Sequence, residues 1–395
     1  MHSRVYVTGI GIISAIGRNK DDCLKSLLDS RHGISTLSLL DTVHKDFPSG
    51  EIKLSNSDLC EILNLDYDQS LTRTTLLGLI ATKEAMSDQN FNLNHGYKTG
   101  LISGTTVGGM SRTEISYNKS IKSDIIETHD CGESTKRIAE ILGIDAYTAT
   151  ISTACSSSAN SIMLSARMIS SGKLDRAIAG GTDSLSKFTL NGFNSLLILD
   201  KEHCKPFDVN RRGINLGEGS AFLVLESELS LSNSGNKPIC EITGWANNND
   251  AYHPTASSPD GNGAYMAISN ALKKASLKPE DIDYINAHGT GTDNNDLSEG
   301  IALQRVFGDN IPYISSTKPI TGHTLGAAGA IEAVLSVMAI QNKIIYPNLN
   351  FNDKIPELRF EPVRKLMTDK NVRNVLSNSF GFGGNNTSLI FSEYS

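Results

Sequence analysis

Along this chain, strand-like segments repeatedly run into turns rich in glycine, serine or threonine, and three of those turns hold a cysteine or a histidine. They are TACSSSANS around Cys155, NAHGTGTDNND around His288 and STKPITGHTLGAAGA around His323. Small residues let a side chain stand free at a strand end while backbone N–H groups face a ligand. Strand and helix patterns alternate between these turns, the mark of an α/β architecture. Strands are expected at 4–8, 101–103, 149–153, 177–180, 221–226, 282–287, 311–315 and 387–391. Helices are expected at 19–30, 72–88, 134–142, 156–171 and 325–341. In the helix after Cys155, Ala159, Ile162, Met163, Ala166 and Ile169 share one face.

The order repeats. Strand 282–287 enters His288-Gly289-Thr290-Gly291-Thr292 as strand 101–103 enters the Gly104–Gly109 turn that holds Val107. Strand 311–315 leads to a turn and helix 325–341 as strand 149–153 leads to Cys155 and its helix. Strand 387–391 parallels 221–226. This predicts two halves of similar topology, 1–237 with the cysteine and 238–395 with both histidines, divided at the polar SELSLSNSGNK segment 227–237. The reactive loops would meet at their interface.

A net charge of −7 argues against a nucleic-acid partner, because neutralising phosphates takes a clustered basic surface. Six scattered cysteines without a C-x-x-C pair suit a reducing compartment, hence the cytoplasm, and give no zinc-site spacing. The N-terminal VYVTGIGIISAIG reads as a buried first strand entering a turn at Gly9-Ile10-Gly11. It lacks the flanks of a targeting peptide and the third glycine of a dinucleotide fingerprint. No stretch reaches the roughly eighteen uncharged apolar residues of a membrane span, so no membrane insertion is expected.

At a strand-to-helix turn Cys155 gains exposure and the positive end of a helix dipole, which favours thiolate, while its own N–H can stabilise an oxyanion. The usual free cysteine is buried and inert, and Cys23, Cys60, Cys131, Cys204 and Cys240 are read that way. Lone histidines are commonly surface residues, as are His2, His32, His44, His95, His129 and His203 here; His253 falls near the pocket mouth. His288 and His323 differ because they occupy matching turns. Two neutral imidazoles can each donate an N–H to one carbonyl oxygen and so stabilise an enolate. Lys318 and Glu299 would fix their charge and orientation, since a buried lysine needs an acidic partner; the alternative for Lys318 is a solvated loop. In NSFGFGGNN, Phe380, Gly381 and Phe382 form a loop whose amides can line a site and whose aromatic can gate it, or else a simple core turn. The set points to acyl transfer through a cysteine thioester, followed by carbon–carbon bond formation.

The motifs VYVTGIGIISAIG, SGTTVGGM, STACSSSANSI, AGGTDSL, CKPFDVNRRGINLGEGSAFLVLE, YINAHGTGT, STKPITGH, LGAAGAIE and NSFGFGG span almost the whole chain. Together they resemble the elongating β-ketoacyl-acyl-carrier-protein synthases of the thiolase fold. The resemblance implies a five-layered α-β-α-β-α core of two duplicated halves. It implies no metal or redox cofactor, with substrates carried on the phosphopantetheine of acyl carrier protein. The partner would be that carrier, and the assembly a homodimer or a heterodimer with a second synthase-like subunit. Cys155 would be the nucleophile, His288 and His323 the decarboxylation and condensation pair, and Lys318, Glu299 and Glu332 their support. Thr290, Thr292 and Asp296 match positions that line or brace the substrate channel. The amides of Cys155 and Phe382 would form the oxyanion hole, with Phe382 and Val107 gating the acyl pocket.

Competing members of the fold fit less well. A biosynthetic thiolase would carry a second cysteine near the C-terminus, chain-initiating synthases an asparagine in place of His323, and non-catalytic chain-length partners no nucleophile. A mainly structural, carrier-docking role is discouraged by the intact Cys-His-His set, and a cysteine hydrolase would leave one histidine redundant. Three departures concern the substrate. Asn385 stands where threonine is common, Asp293-Asn294-Asn295 replaces a proline- and glycine-containing stretch, and residues 64–75 carry only Arg73 among docking cations. They suggest a specialised polyene or polyketide paralogue. The candidate docking cations are Arg73, Arg112, Lys119, Lys122, Lys205 and Arg211.

Overall fold

The computed structural model describes residues 3–66, 68, 71–88, 91, 93, 96–117 and 123–394. Its strands are β1 Val5–Ser14, β2 Thr99–Gly104, β3 Tyr147–Ile151, β4 Arg176–Asp183, β5 Gly219–Ser227, β6 Cys240–Asn249, β7 Tyr284–Asn286, β8 Tyr313–Ser315, β9 Asn374–Gly381 and β10 Asn385–Glu393. The helices are α1 Lys20–Leu28, α2 Asn56–Leu63, α3 Arg73–Ser87, α4 Met110–Ser116, α5 Ser123–His129, α6 Cys131–Leu142 and α7 Ser157–Ser170 in the first part. They continue with α8 Lys187–Ser195, α9 Glu228–Ser234, α10 Asn262–Ala275, α11 Asp293–Phe307, α12 Lys318–Thr321 and α13 Ala328–Asn342.

The strand order β3-β2-β4-β5-β1-β6-β10-β9-β7-β8 is one five-stranded pattern followed by its mirror order. In each copy three strands pair in parallel (β3-β2-β4 and β8-β7-β9) and two add antiparallel. Between the copies β1 pairs with β6 antiparallel, Tyr6 opposite Glu241 and Val7 opposite Cys240. Equivalent strands are therefore β2 and β7, β3 and β8, β5 and β10, the three correspondences expected from the sequence.

Helices α7 and α13 lie between the two copies, each touching strands of both. Outside them α3 covers β1, β4 and β5, and α10 covers β6 and β10, which completes five layers. The sequence of α13 explains its central place: every residue from Ala328 to Ile340 is buried, so it has no polar face to offer water. Contrary to the sequence expectation, Leu325–Asn342 is long and apolar enough to cross a membrane by composition, but 89% of it is buried inside the protein.

One further expectation needs correction. Gly9-Ile10-Gly11 is not a turn; β1 runs through it, buried at every position. A Cβ on Gly9 would lie 2.2 Å from the Ala85 carbonyl oxygen, and one on Gly11 2.0 Å from that of Ala81, so these glycines admit α3 against the strand. The polar segment 227–237, the expected division between the halves, holds the short helix α9. Ser227 caps α9, and Ser230 is buried with its hydroxyl on Glu226 at 2.5 Å.

Candidate active site

Cys155 stands on a strained turn. After β3 the chain reverses through Ala154, a non-glycine residue at φ 52°, and enters α7 directly. The Thr153 N–H donates to Ser157 Oγ at 2.9 Å, and that hydroxyl donates to the Ala154 carbonyl at 2.6 Å. Opposite, the loop after β9 comes so near that a Cβ on Gly381 would stand 3.0 Å from both the Cys155 nitrogen and the Thr153 oxygen. The backbone N–H groups of Phe382 and Cys155 both favour the thiolate form of Cys155. The helix dipole does not make this cysteine a resting thiolate. Burial pushes the thiol up to about 11, outweighing Lys318 and the two amides that pull it down.

The histidines are held in one tautomer each. The Lys318 ammonium lies 3.1 Å from His288 Nδ1 and can only donate, which assigns the ring proton to Nε2. Leu325 N–H donates to His323 Nδ1 at 3.0 Å, giving the same assignment there. The ring centroids are 5.5 Å apart with planes at 89°. Burial, with Lys318 beside both rings, holds both imidazoles well below the ordinary 6.5, so both are neutral.

Charges behind the rings complete the brace. Lys318, 1% exposed, pairs with Glu332 of α13 and also donates to the His288 carbonyl. Glu299, expected as its acidic partner, instead accepts the N–H groups of His288 (3.0 Å) and Gly289 (2.8 Å) and the Asn378 amide (3.1 Å). Burial raises both carboxylates to about 7, against the pull of those donors. Asp296 accepts Phe207 N–H at 2.7 Å and Gly291 N–H at 3.1 Å, tying the His288 loop to the 204–207 segment.

Cys155, His288, His323, Thr290, Thr292, Phe380, Gly381 and Phe382 line one cavity of about 310 Å³. Thr290 and Thr292 share a hydroxyl–hydroxyl bond of 2.8 Å on its wall, and Phe382 stacks on Phe193 at 5.7 Å. Val107 is not on this wall. It is buried in an apolar cluster with Leu185, Leu190 and Leu325. His253 stays at the surface, where its Nδ1 accepts the N–H groups of Thr255 and Ala256, two residues of the cavity mouth (3.2 Å each).

Sequence reasoning passed over Asp183. This buried carboxylate at the end of β4 accepts Thr106 and Val107 N–H groups from one half and Gly326 N–H (2.7 Å), just past His323, from the other. The signal was an acid closing a small-residue strand in AGGTD. The docking cations also need revision. Arg73 is half-buried on Glu218 at 2.6 Å, and Arg211 is buried against the carbonyls of Asp208 and Asp293. Lys205 pairs with Glu202 at 3.0 Å, Arg112 is half-buried near Thr128, and Lys119 and Lys122 lie outside the described residues. The cation on the cavity wall is Arg212, its side chain 69% exposed.

A cysteine facing two amides, opposite two neutral imidazoles inside a duplicated five-layer fold, defines a thiolase-fold acyltransferase that joins carbon chains. The family profile described as "Beta-ketoacyl synthase, N-terminal domain" matches residues 2–230, and "Beta-ketoacyl synthase, C-terminal domain" matches 239–352. The 3-oxoacyl-[acyl-carrier-protein] synthase 2 of Synechocystis sp. is 35% identical, over 99% of this chain and 98% of its own. That of Staphylococcus aureus is 30% identical, over 100% and 99%. Among solved structures, the ishigamide ketosynthase/chain length factor superposes with a TM-score of 0.93 at 28% identity, covering 100% of both chains. The ketosynthase ApeO in complex with its chain length factor ApeC, from Xenorhabdus doucetiae, gives 0.85 at 32% identity, over 99% and 98%. The chain belongs to the β-ketoacyl synthase family, condensing enzymes of fatty acid and polyketide synthesis.

Proposed function

We propose that this chain condenses a malonyl unit, held on an acyl carrier protein, with an acyl group held on Cys155, within a specialised polyene or polyketide pathway. The observation that carries the chemistry is the pair of Nε2–H imidazoles fixed beside Cys155 in one cavity. An acyl-carrier thioester places its carbonyl oxygen at the amides of Cys155 and Phe382. The thiol sulfur attacks, the carrier sulfur leaves, and the thiol proton departs with it. Malonyl-carrier then loses carbon dioxide, and the electron pair left behind forms an enolate whose oxygen accepts both Nε2–H groups. The enolate carbon attacks the Cys155 thioester, the carbon–sulfur bond breaks, and the sulfur takes up a proton. Splitting the reaction through an acyl-enzyme avoids aligning two carriers at once.

No metal or redox group enters this scheme, and six unpaired thiols suit the cytoplasm. The reading includes a dimer, either of two copies or with a second synthase-like subunit; ApeO, a relative of this chain, is seen with a chain length factor. Intact-mass spectrometry of wild type and Cys155→Ala with a panel of acyl-carrier thioesters tests the reading. An adduct on wild type alone is expected, and its preferred chain identifies the substrate class. No adduct from any donor, with or without a candidate second subunit, defeats it.

A further inference from the structure

The proposed oxyanion site uses two amides from different halves of the molecule, so something must hold their spacing. Ser156 follows Cys155 directly, and Asn385 opens β10 directly after the loop that carries Phe382. The Asn385 side-chain oxygen accepts Asn160 Nδ2 of α7 at 2.9 Å and Asn247 Nδ2 of β6 at 2.7 Å, and lies 2.7 Å from Ser156 Oγ, whose single proton it shares with the Thr153 carbonyl, also at 2.7 Å. Its orientation is not free. Asn160 spends its own oxygen on Thr387 Oγ1 (2.8 Å) and Asn247 Nδ2 (3.1 Å), so both carboxamides turn their NH₂ groups to Asn385. Other ties of the loop, from Gly383 N–H to the Pro254 carbonyl, from Asn249 Nδ2 to the Gly383 carbonyl and from Asp250 N–H to the Gly384 carbonyl, run to the 249–254 segment rather than to the Cys155 turn.

Building on the proposed reaction, we propose that Asn385 is a positioning residue for acyl transfer: its one carbonyl oxygen pins the loop bearing the Phe382 amide to the turn bearing Cys155. It does not line the cavity. Its role is geometric, because amide donors act only when aimed at the developing oxyanion, and small displacements are costly.

The test is the single-turnover rate of Cys155 acylation, followed by intact mass against acyl-carrier concentration. Asn385→Leu keeps the volume and removes the acceptor. It is expected to slow acylation at saturating donor by about 10- to 100-fold, the range for a displaced oxyanion donor. The half-saturating concentration should stay within about twofold of wild type, because uniform binding is not what is lost. Asn385→Thr, a shorter acceptor, should fall between. Ser156→Ala should slow acylation less, and adding it to Asn385→Leu should cost little more, since both remove one contact. Wild-type acylation by Asn385→Leu, a defect confined to half-saturation, or additive losses in the double variant would each overturn the inference. If Asn385→Leu does not fold, Asn385→Thr and Ser156→Ala decide alone, and wild-type rates in both overturn it. A wild type that never acylates would instead sink the reaction on which this rests.

Discussion

The turns after β3 and β8 hold equivalent places in the two halves, yet they are braced in opposite ways. Around Cys155 the brace is neutral: hydroxyls of Ser156 and Ser157 and carboxamides of Asn160 and Asn385. Around the histidines it is ionic, with Lys318 on Glu332 and Glu299 on the backbone of His288 and Gly289. The difference fits what each region does in the proposed reaction. The cysteine alternates between thiol and thioester, both neutral, and a fixed buried charge would favour neither. The imidazoles must stay neutral while a negative oxygen forms beside them. A permanent cation does both jobs, donating to Nδ1 and discouraging a second proton.

If that division is real, the regions are separable by mutation. Cys155→Ala should lose the acyl adduct entirely, whereas His323→Ala should keep it and lose malonyl decarboxylation by about 100-fold or more, as for a missing oxyanion donor. Parallel adduct and carbon dioxide assays read the two, and normal decarboxylation by His323→Ala would break the comparison. Lys318→Met tests the ionic brace. It should cost about 3 kcal/mol by denaturant unfolding, the low end for a broken buried pair because Glu332 can take up a proton. Adding Glu332→Leu should restore stability but not decarboxylation.

Smaller effects sharpen the picture at the mouth. Arg212→Ala should lower kcat/KM for carrier-borne substrate by about threefold at low salt and not at high salt, since exposed charges act through screened attraction. The smallest expected effect is none. With both imidazoles held well below 6.5, decarboxylation should show no loss as pH falls through that value. Stability should respond instead. Unfolded imidazoles take up protons that the folded ones refuse, so this share is present above 6.5 and lost as pH falls toward the folded values. Glu299 and Glu332, raised to about 7 from 4.5, act oppositely: their share is present below 4.5 and lost as pH rises through about 7. Unfolding midpoints across pH 4.5–8 check both signs.

Local chemistry was legible wherever a residue acts from its own turn. Cys155, His288 and His323 announce themselves through small-residue neighbours after strands, and the repeat of β2, β3 and β5 in β7, β8 and β10 follows from the same spacing. Lys318 was expected to be buried, and it is, but its partner was misjudged. Glu299 is eleven residues past His288 and Glu332 nine past His323, and nothing in either spacing says which carboxylate faces the ammonium. Arg211 and Arg212 are adjacent in sequence and opposite in fate, one buried on carbonyls and one at the cavity. Gly9 and Gly11 look like a turn because glycine serves turns and close approaches alike, and only α3 reveals which applies.

The sequence by itself determined the strand-to-turn order around Cys155, His288 and His323 and its duplication, because these depend on periodicity and on a residue's immediate neighbours. Tertiary structure decided what depends on facing surfaces. It raised the Cys155 thiol by burial where the helix end alone suggested a thiolate. It assigned the imidazole tautomers through Lys318 and Leu325, removed Val107 from the cavity, and joined Asn385 to a turn 229 residues away. Desolvation and hydrogen-bond partnership are properties of the surroundings, and those surroundings come from the other half of the chain.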